Sequence, residues 1–304
     1  MKKHNCFTVY IAALIASLSC GNVYAIKENE DMEIVFSFEE FESGSIRLPY
    51  RQAVIAASGS PSRLVIYLHG GTSKGNDNVS QLKEPGVDSI ACFVAGKSMN
   101  TVFVVPQCPS DESWGGKLAD VLNKLISNRI VRYTDIKDVY ILGGSMGDTG
   151  TWTMISKYPK LFSAAMPVAG NPSKCDAVNV AQTPFFTVMG TDDRIMSMEA
   201  VNDFVSELDN IGARYVFETE AGWSHEDVCI KSYTSDRLNW VFSNSRQMEE
   251  AGVEDVAAEQ QIVSETRYWT LSGVPLTHPS SNGLYVVRQV DSGNTVKIYK
   301  RYVK

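Results

Sequence analysis

Gly143-Gly144-Ser145-Met146-Gly147 follows the apolar run Val139-Tyr140-Ile141-Leu142 and precedes a helix-like segment, Asp148 to Lys157. In a strand, tight turn and helix of this kind, G-x-S-x-G presents its serine as a nucleophile. The turn holds Ser145 in a strained backbone conformation, and side chains at 143 or 147 would collide with the neighbouring strand and helix. The helix that follows aims its positive end and its unpaired N–H groups at the space beside the serine, where an oxyanion would form. A serine of this type needs a base, and the chain has four histidines, His4, His69, His225 and His278. His4 lies in an export-like N-terminus, and His278 in a Pro/Ser-rich turn of the C-terminal tail. His69 ends the run Leu64-Val65-Ile66-Tyr67-Leu68 and precedes Gly70-Gly71, a place suited to ordering an oxyanion loop. His225 remains, in Gly222-Trp223-Ser224-His225-Glu226.

The third member of such a set is a carboxylate between serine and histidine in chain order. Phe185-Phe186-Thr187-Val188-Met189 reads as a buried strand, with Gly190-Thr191-Asp192-Asp193-Arg194 at its C-terminal end. Catalytic groups of open α/β sheets gather at strand C-termini. Either Asp192 or Asp193 could orient the imidazole. Asp193 is the choice made here, with Asp192 assigned to ordering the turn.

These segments resemble an α/β-hydrolase of the carboxylesterase/phospholipase type, close to secreted bacterial esterases once labelled predicted peptidases. The resemblance runs over roughly residues 46 to 243. It is carried by Tyr67-Leu68-His69-Gly70-Gly71 with Gly75-Asn76-Asp77-Asn78, by Val104-Val105-Pro106-Gln107-Cys108-Pro109 with Trp114, and by Gly144-Ser145-Met146-Gly147 with Gly150-Thr151-Trp152. Gly190-Thr191-Asp192-Asp193 and Ser224-His225 complete it. It implies Ser145, Asp193 and His225 as a catalytic triad, with the backbone N–H groups of Met146 and Gly71 as the oxyanion hole. It also implies supporting or substrate-binding places for His69, Gly70, Trp114, Asp148 and Trp223. Two positions depart from the family. Asp148 stands where a second glycine usually follows S-M-G, and Met189 where a histidine usually precedes the acid turn. A carboxylate at 148 facing the oxyanion would oppose its charge, so Asp148 is expected to point away.

The first 25 residues read as a secretory signal, with Lys2 and Lys3, the apolar run Phe7 to Leu18, and cleavage after Val23-Tyr24-Ala25. Ser17-Leu18-Ser19-Cys20 invites lipidation at Cys20, although its leucine is one position out of the usual register. The apolar run is too short to span a membrane. Net charge is −7, and loss of residues 1–25 removes Lys2, Lys3 and no acid, leaving −9. Such a balance disfavours nucleic acid as a partner. Export permits disulfides. Of Cys92, Cys108, Cys175 and Cys229, the pair Cys175–Cys229 would either bridge and clamp the histidine loop or remain as two buried thiols. None is spaced like a zinc site, and no metal or cofactor is implied.

Strands are expected near 34–39, 46–56, 64–68, 101–105, 138–142, 163–168, 184–189 and 214–219, and helices near 87–98, 116–128, 146–157, 197–211 and 231–243. This alternation predicts an α/β fold with a mostly parallel twisted sheet and helices on both faces. Residues 26–243 form the expected catalytic domain and 244–266 a linker. Residues 267–304 form a small β appendage that resembles the C-terminal sorting tails of Bacteroidetes exported proteins. Residues 171–183 are too short for a large lid, which predicts an open site for a bulky or polymeric substrate. The expected activity is hydrolysis of carboxylic esters, with acetyl or feruloyl esters of plant polysaccharides suggested by the resemblance. A serine peptidase with the same triad, or a glycan-binding surface protein disabled by Asp148, are the alternatives.

Overall fold

The computed structural model describes residues 24–246 apart from 30, 31 and 58, and the strands of residues 263–269, 275–276, 283–291 and 296–303. The expected signal up to residue 23 and the linker between 247 and 262 lie outside the described residues. The chain divides into two compact units, Met1–Gln247 and Met248–Lys304.

The first unit is built on β1 (Tyr24–Asn29), β2 (Met32–Ser43), β3 (Ile46–Ile55), β4 (Arg63–Leu68), β5 (Thr101–Pro106), β6 (Asp138–Gly144), β7 (Ala164–Val168), β8 (Phe185–Gly190) and β9 (Tyr215–Glu220). These form one sheet in the order β1-β2-β3-β5-β4-β6-β7-β8-β9. β1, β2, β3 and β5 pair antiparallel in turn, whereas every pairing from β5 to β9 is parallel. Eight strands were expected. β1 is the addition, and it straddles the predicted cleavage site after Ala25.

The sequence pattern explains the layering. β5, β6 and β8 are buried along their whole length, as parallel strands covered on both faces must be. β2 alternates instead over its first part, with Ile34 and Phe36 buried and Val35 and Ser37 exposed. Within β4, Val65 and Tyr67 enter one core, and Leu64, Ile66 and Leu68 the other. The first core is covered by α1 (Pro85–Gly96) and α7 (Ser235–Phe242). The second is covered by α2 (Gly116–Arg132), α3 (Met146–Lys157), the short α4 (Ala177–Val180) and α5 (Met198–Ile211). Local signals set the helix ends. At α5, the Ser197 hydroxyl accepts from Ala200 N–H, and Gly212, in the left-handed region at φ 76°, stops the helix.

The helix expected over 231–243 is α7, which starts later, and a separate helix, α6 (His225–Lys231), precedes it across residues 232–234. Thr234 is extended, which starts a new helix axis. The interruption turns Tyr233 inward, edge-on to Tyr67 with ring centres 5.7 Å apart.

The second unit contains β10 (Val263–Trp269), β11 (Pro275–Leu276), β12 (Gly283–Asp291) and β13 (Val296–Val303), an antiparallel sheet in the order β11-β10-β12-β13. No helix among the described residues is long and apolar enough to cross a membrane.

Candidate active site

The order of the sheet fixes where a site can form. From β4 the chain crosses through α1 to β5 on one side, then through α2 to β6 on the other side of β4. The C-terminal ends of β4 and β6 therefore border a crevice at which the strand order reverses, the usual ligand position of open α/β sheets. β4 delivers Gly70-Gly71 to this crevice, and β6 delivers Ser145.

Ser145 has φ 57° and ψ −116°, an unfavourable backbone for a residue with a side chain. The flanking glycines make the turn feasible. A Cβ at Gly147 would lie 1.9 Å from the Leu68 carbonyl oxygen, and one at Gly143 would lie 2.4 Å from the Gly147 oxygen. Ser145 N–H donates to Val168 O at 3.0 Å, anchoring the turn to β7.

His225 opens α6, whose start is fixed by a reciprocal cap between Ser224 and Asp227. His225 Nε2 lies 2.8 Å from Ser145 Oγ, and Nδ1 lies 2.8 Å from Asp193 Oδ2. An ionised carboxylate only accepts, so Nδ1 carries the proton and the Nε2 lone pair faces the serine hydroxyl. The other Asp193 oxygen accepts from the N–H groups of Ile195 and Met196 at 2.8 and 2.9 Å. Asp193 is thereby locked, with its side chain only 1% exposed. Asp192 is exposed and engages the histidine loop through its backbone, donating to Trp223 O at 3.1 Å.

The loops that carry acid and histidine are packed on each other. Gly222 N–H donates to Thr191 Oγ1 at 2.8 Å, and a Cβ at Gly190 would meet Trp223 O at 2.1 Å. The Trp223 ring lies against the side chains of Arg237 and Lys231, and Arg237 also pairs with Glu218 and Glu220. Trp223 thus positions the histidine loop and does not line the cleft.

His69 is fully buried. Its Nδ1–H donates to Gly70 O at 2.6 Å, and its Nε2 accepts from Cys108 N–H at 2.9 Å. Burial, above all, lowers its pKa to about 4 and keeps it neutral. Trp114 donates from its indole to His69 O at 3.0 Å and packs edge-on to the imidazole. Both residues therefore brace the Gly70-Gly71 loop from behind. Met146 N–H begins α3 and Gly71 N–H begins a single 3₁₀ turn, Gly71–Ser73. Neither position has an acceptor within its own helix.

Asp148 is buried against the backbone of Gly170, where an added Cβ would sit 2.0 Å from its Oδ1. It does not line the cleft. The Gly170 N–H and Trp152 indole lie close and favour its charge, yet neither is aligned for a full hydrogen bond, and burial outweighs them. Its pKa is held well above the ordinary carboxylate range.

Of the two readings of Cys175 and Cys229, a bridge or two thiols, the structure has the thiols. Cys175 packs into the core on one face of the sheet and Cys229 into the core on the other. Cys229 Sγ instead lies 4.0 Å from His225 Nε2, and burial pushes this thiol up to about 12.

The cleft over Ser145 has a volume of about 670 Å³ and is bordered by Gly70, Gly71, Glu84, His225, Cys229 and two outward-facing isoleucines. Those isoleucines, Ile195 and Ile230, are 69% and 45% exposed, an apolar rim that the sequence reading missed. Glu84 was missed as well, because an acid before a proline reads only as the start of a helix. Among the described residues no cluster of His, Cys, Asp or Glu could hold a metal ion.

The fold of the first unit recurs in solved structures. The chain is similar to a thermostable esterase at 25% identity and a TM-score of 0.63, over 69% of this chain and 63% of that one. The chain has the α/β-hydrolase fold. A putative dienelactone hydrolase from Klebsiella pneumoniae shares this fold at 14% identity and a TM-score of 0.55, over 69% of this chain and 98% of that one. An acylaminoacyl peptidase shares it at 14% identity and a TM-score of 0.53, over 73% of this chain and 43% of that one. No protein-family model and no curated protein matches the chain.

Proposed function

We propose that this α/β-hydrolase fold carries a serine hydrolase of carboxylic esters. The observation that carries the reading is the unbroken chain from Ser145 Oγ through His225 to Asp193, each link 2.8 Å long, at the floor of an open cleft. Ser145 attacks the ester carbonyl as His225 Nε2 takes its proton. Asp193 holds the imidazole in the required tautomer and stabilises the imidazolium. Met146 and Gly71 N–H groups receive the oxyanion, and loss of one such donor typically costs about 3–4 kcal/mol of transition-state stabilisation. His225 returns its proton to the leaving alcohol, and a water deprotonated by the same ring then releases the acid from Ser145.

A fluorophosphonate probe tests this directly. Wild-type protein is expected to be labelled at Ser145 and the Ser145→Ala variant to remain unlabelled, as read by mass mapping. A folded wild-type protein that resists the probe would sink the proposal. Glycan binding by a protein disabled at Asp148 draws no support from the geometry, since that side chain faces Gly170 and away from the cleft. The peptidase alternative uses the same residues, and parallel ester and amide substrates separate the two.

Export of the enzyme is part of the proposal, supported by Lys2, Lys3 and the apolar run up to Leu18. Delivery to the surface through the C-terminal tail, and action on acetyl or feruloyl esters of plant polysaccharides, extend it. The tail's Gly283-Leu284-Tyr285 strand with its basic final strand, and the open cleft, are what favour these extensions.

A further inference from the structure

Glu84 is one of three charged side chains of the cleft, with Lys83 and Glu226, whose presence the Ser145–His225–Asp193 chain does not explain. It immediately precedes α1, in the position where a side chain normally caps the helix, but makes no capping hydrogen bond. Its Oε1 accepts from the Ser73 hydroxyl at 2.6 Å. Its Oε2 has no hydrogen-bond partner, and its carboxylate pairs with no cation among the described residues. The carboxylate borders the same cleft as the serine. The point at which a side chain on Gly70 would begin lies 3.6 Å from Ser145 Cβ and 3.7 Å from Glu84 Oε1. Serine and carboxylate therefore flank one small volume above the oxyanion loop, and Gly70 leaves that volume empty.

A fixed negative charge so near a developing oxyanion works against hydrolysis of a plain ester. It helps only a substrate that brings a hydrogen-bond donor to it, because a donor to an ionised acceptor forms a stronger bond than a neutral pair does. The rim combines the apolar Pro85, Ile195 and Ile230 with the charged Lys83 and Glu226, and the approach of Glu84 to the space between Gly70 and Ser145 makes its carboxylate the polar determinant beside the serine.

We infer that Glu84 selects esters carrying a hydroxyl group about three atoms from the scissile carbonyl, by accepting that hydroxyl's proton in a hydrogen bond at Oε2. This rests on the ester-hydrolase reading of the same site. The hydroxyl belongs either to the acyl group, as in a 3-hydroxyacyl ester, or to the alcohol, as in a monoester of a vicinal diol.

Two matched pairs test the inference and separate the sources. One pair is p-nitrophenyl 3-hydroxybutyrate against p-nitrophenyl 3-methylbutyrate. The other is 2-hydroxyethyl butyrate against propyl butyrate, followed by acid release. In one pair the wild-type protein is expected to favour the hydroxylated member by about tenfold or more in kcat/KM. The Glu84→Met variant, checked for folding by its melting curve, should reduce that ratio below about twofold while raising kcat/KM for the plain member a few-fold. A purely structural Glu84 would lower both members together. A wild-type ratio below about threefold in both pairs overturns the inference without any variant, and so does a preference that survives in Glu84→Met. Turnover of the plain esters with no hydroxyl preference removes this inference alone, whereas no turnover of any of the four removes the ester-hydrolase reading with it.

Discussion

Ser145→Ala is expected to lower kcat for ester hydrolysis by about 10⁶-fold, and His225→Ala by a similar factor. Neither change should move the melting temperature by more than about 2 °C. The size follows from the geometry. Oγ is both the atom that attacks and the sole side-chain acceptor or donor offered to Nε2 at 2.8 Å, so its loss removes the acyl-enzyme route altogether. The double variant should be no worse than either single one, because the two residues act as a unit. Asp193→Asn is expected to cost about 10⁴-fold. Its amide N–H₂, turned toward Nδ1, would favour the tautomer with the proton on Nε2, where it faces the serine uselessly. The Ile195 and Met196 N–H groups, which now hold the carboxylate, would keep the asparagine oxygen on their own side and enforce that wrong orientation. Steady-state kinetics on one activated ester decides the matter. Activity above about 1% of wild type in Ser145→Ala would mean that another group performs the attack.

Asp148 gives a stability effect of comparable reach. Folding buries its carboxyl and raises its pKa well above the ordinary value, so the folded protein keeps a proton that the unfolded chain gives up near pH 4. The stability linked to this group is complete below the unfolded pKa. It is lost as pH rises toward the folded pKa, at about 1.4 kcal/mol for each pH unit. His69 acts in the opposite sense. Its pKa is lowered to about 4 by burial, so its contribution is present above the unfolded value near 6.5 and is lost as pH falls toward 4. The two slopes oppose each other between about pH 4 and 6.5, and the Asp148 slope continues above that range. Because His69 is common to both proteins, Asp148→Asn should gain on wild type as pH rises above about 4, until the folded pKa of Asp148 is passed. Urea unfolding of both proteins between pH 5 and 9 measures this. Parallel curves would show that Asp148 is ionised in the fold and held by Gly170 and Trp152. The same substitution should leave the acylation rate within about threefold of wild type, because the side chain it changes faces Gly170 and not the cleft.

Much of this molecule is written in short stretches of its sequence. The apolar runs at Leu64–Leu68, Val102–Val105 and Val139–Leu142 are buried on both faces and read as parallel strands for that reason. Gly143 to Gly147 read as a serine turn from their spacing; the clash that Gly143 avoids, with Gly147 and Thr151, is between atoms close in the chain, whereas Gly147 answers Leu68 and His69 of the neighbouring strand end. His225 emerged by elimination from four histidines, and the distances join it to the same serine and aspartate that its chain order had suggested.

What the sequence determined by itself is the succession of strands, turns and helices, and the residue types delivered to each strand end. Periodicity, glycine placement and helix caps act over a few residues, and such effects are recorded in the local sequence. The tertiary structure decided everything that depends on which way a side chain turns and on what comes to face it across the sheet. It gave the choice of Asp193 over Asp192 its physical reason, because two backbone N–H groups of the following turn capture Asp193 and leave Asp192 in solvent. It set Cys175 and Cys229 on opposite faces of the sheet, where no bridge can form. It buried Asp148 against Gly170, set a break between α6 and α7 at which Tyr233 turns inward, and brought Glu84 to the rim of the serine's cleft. These are encounters between segments tens of residues apart. They arise from the reversal of strand order beside β4, a property of the whole sheet that no local pattern encodes.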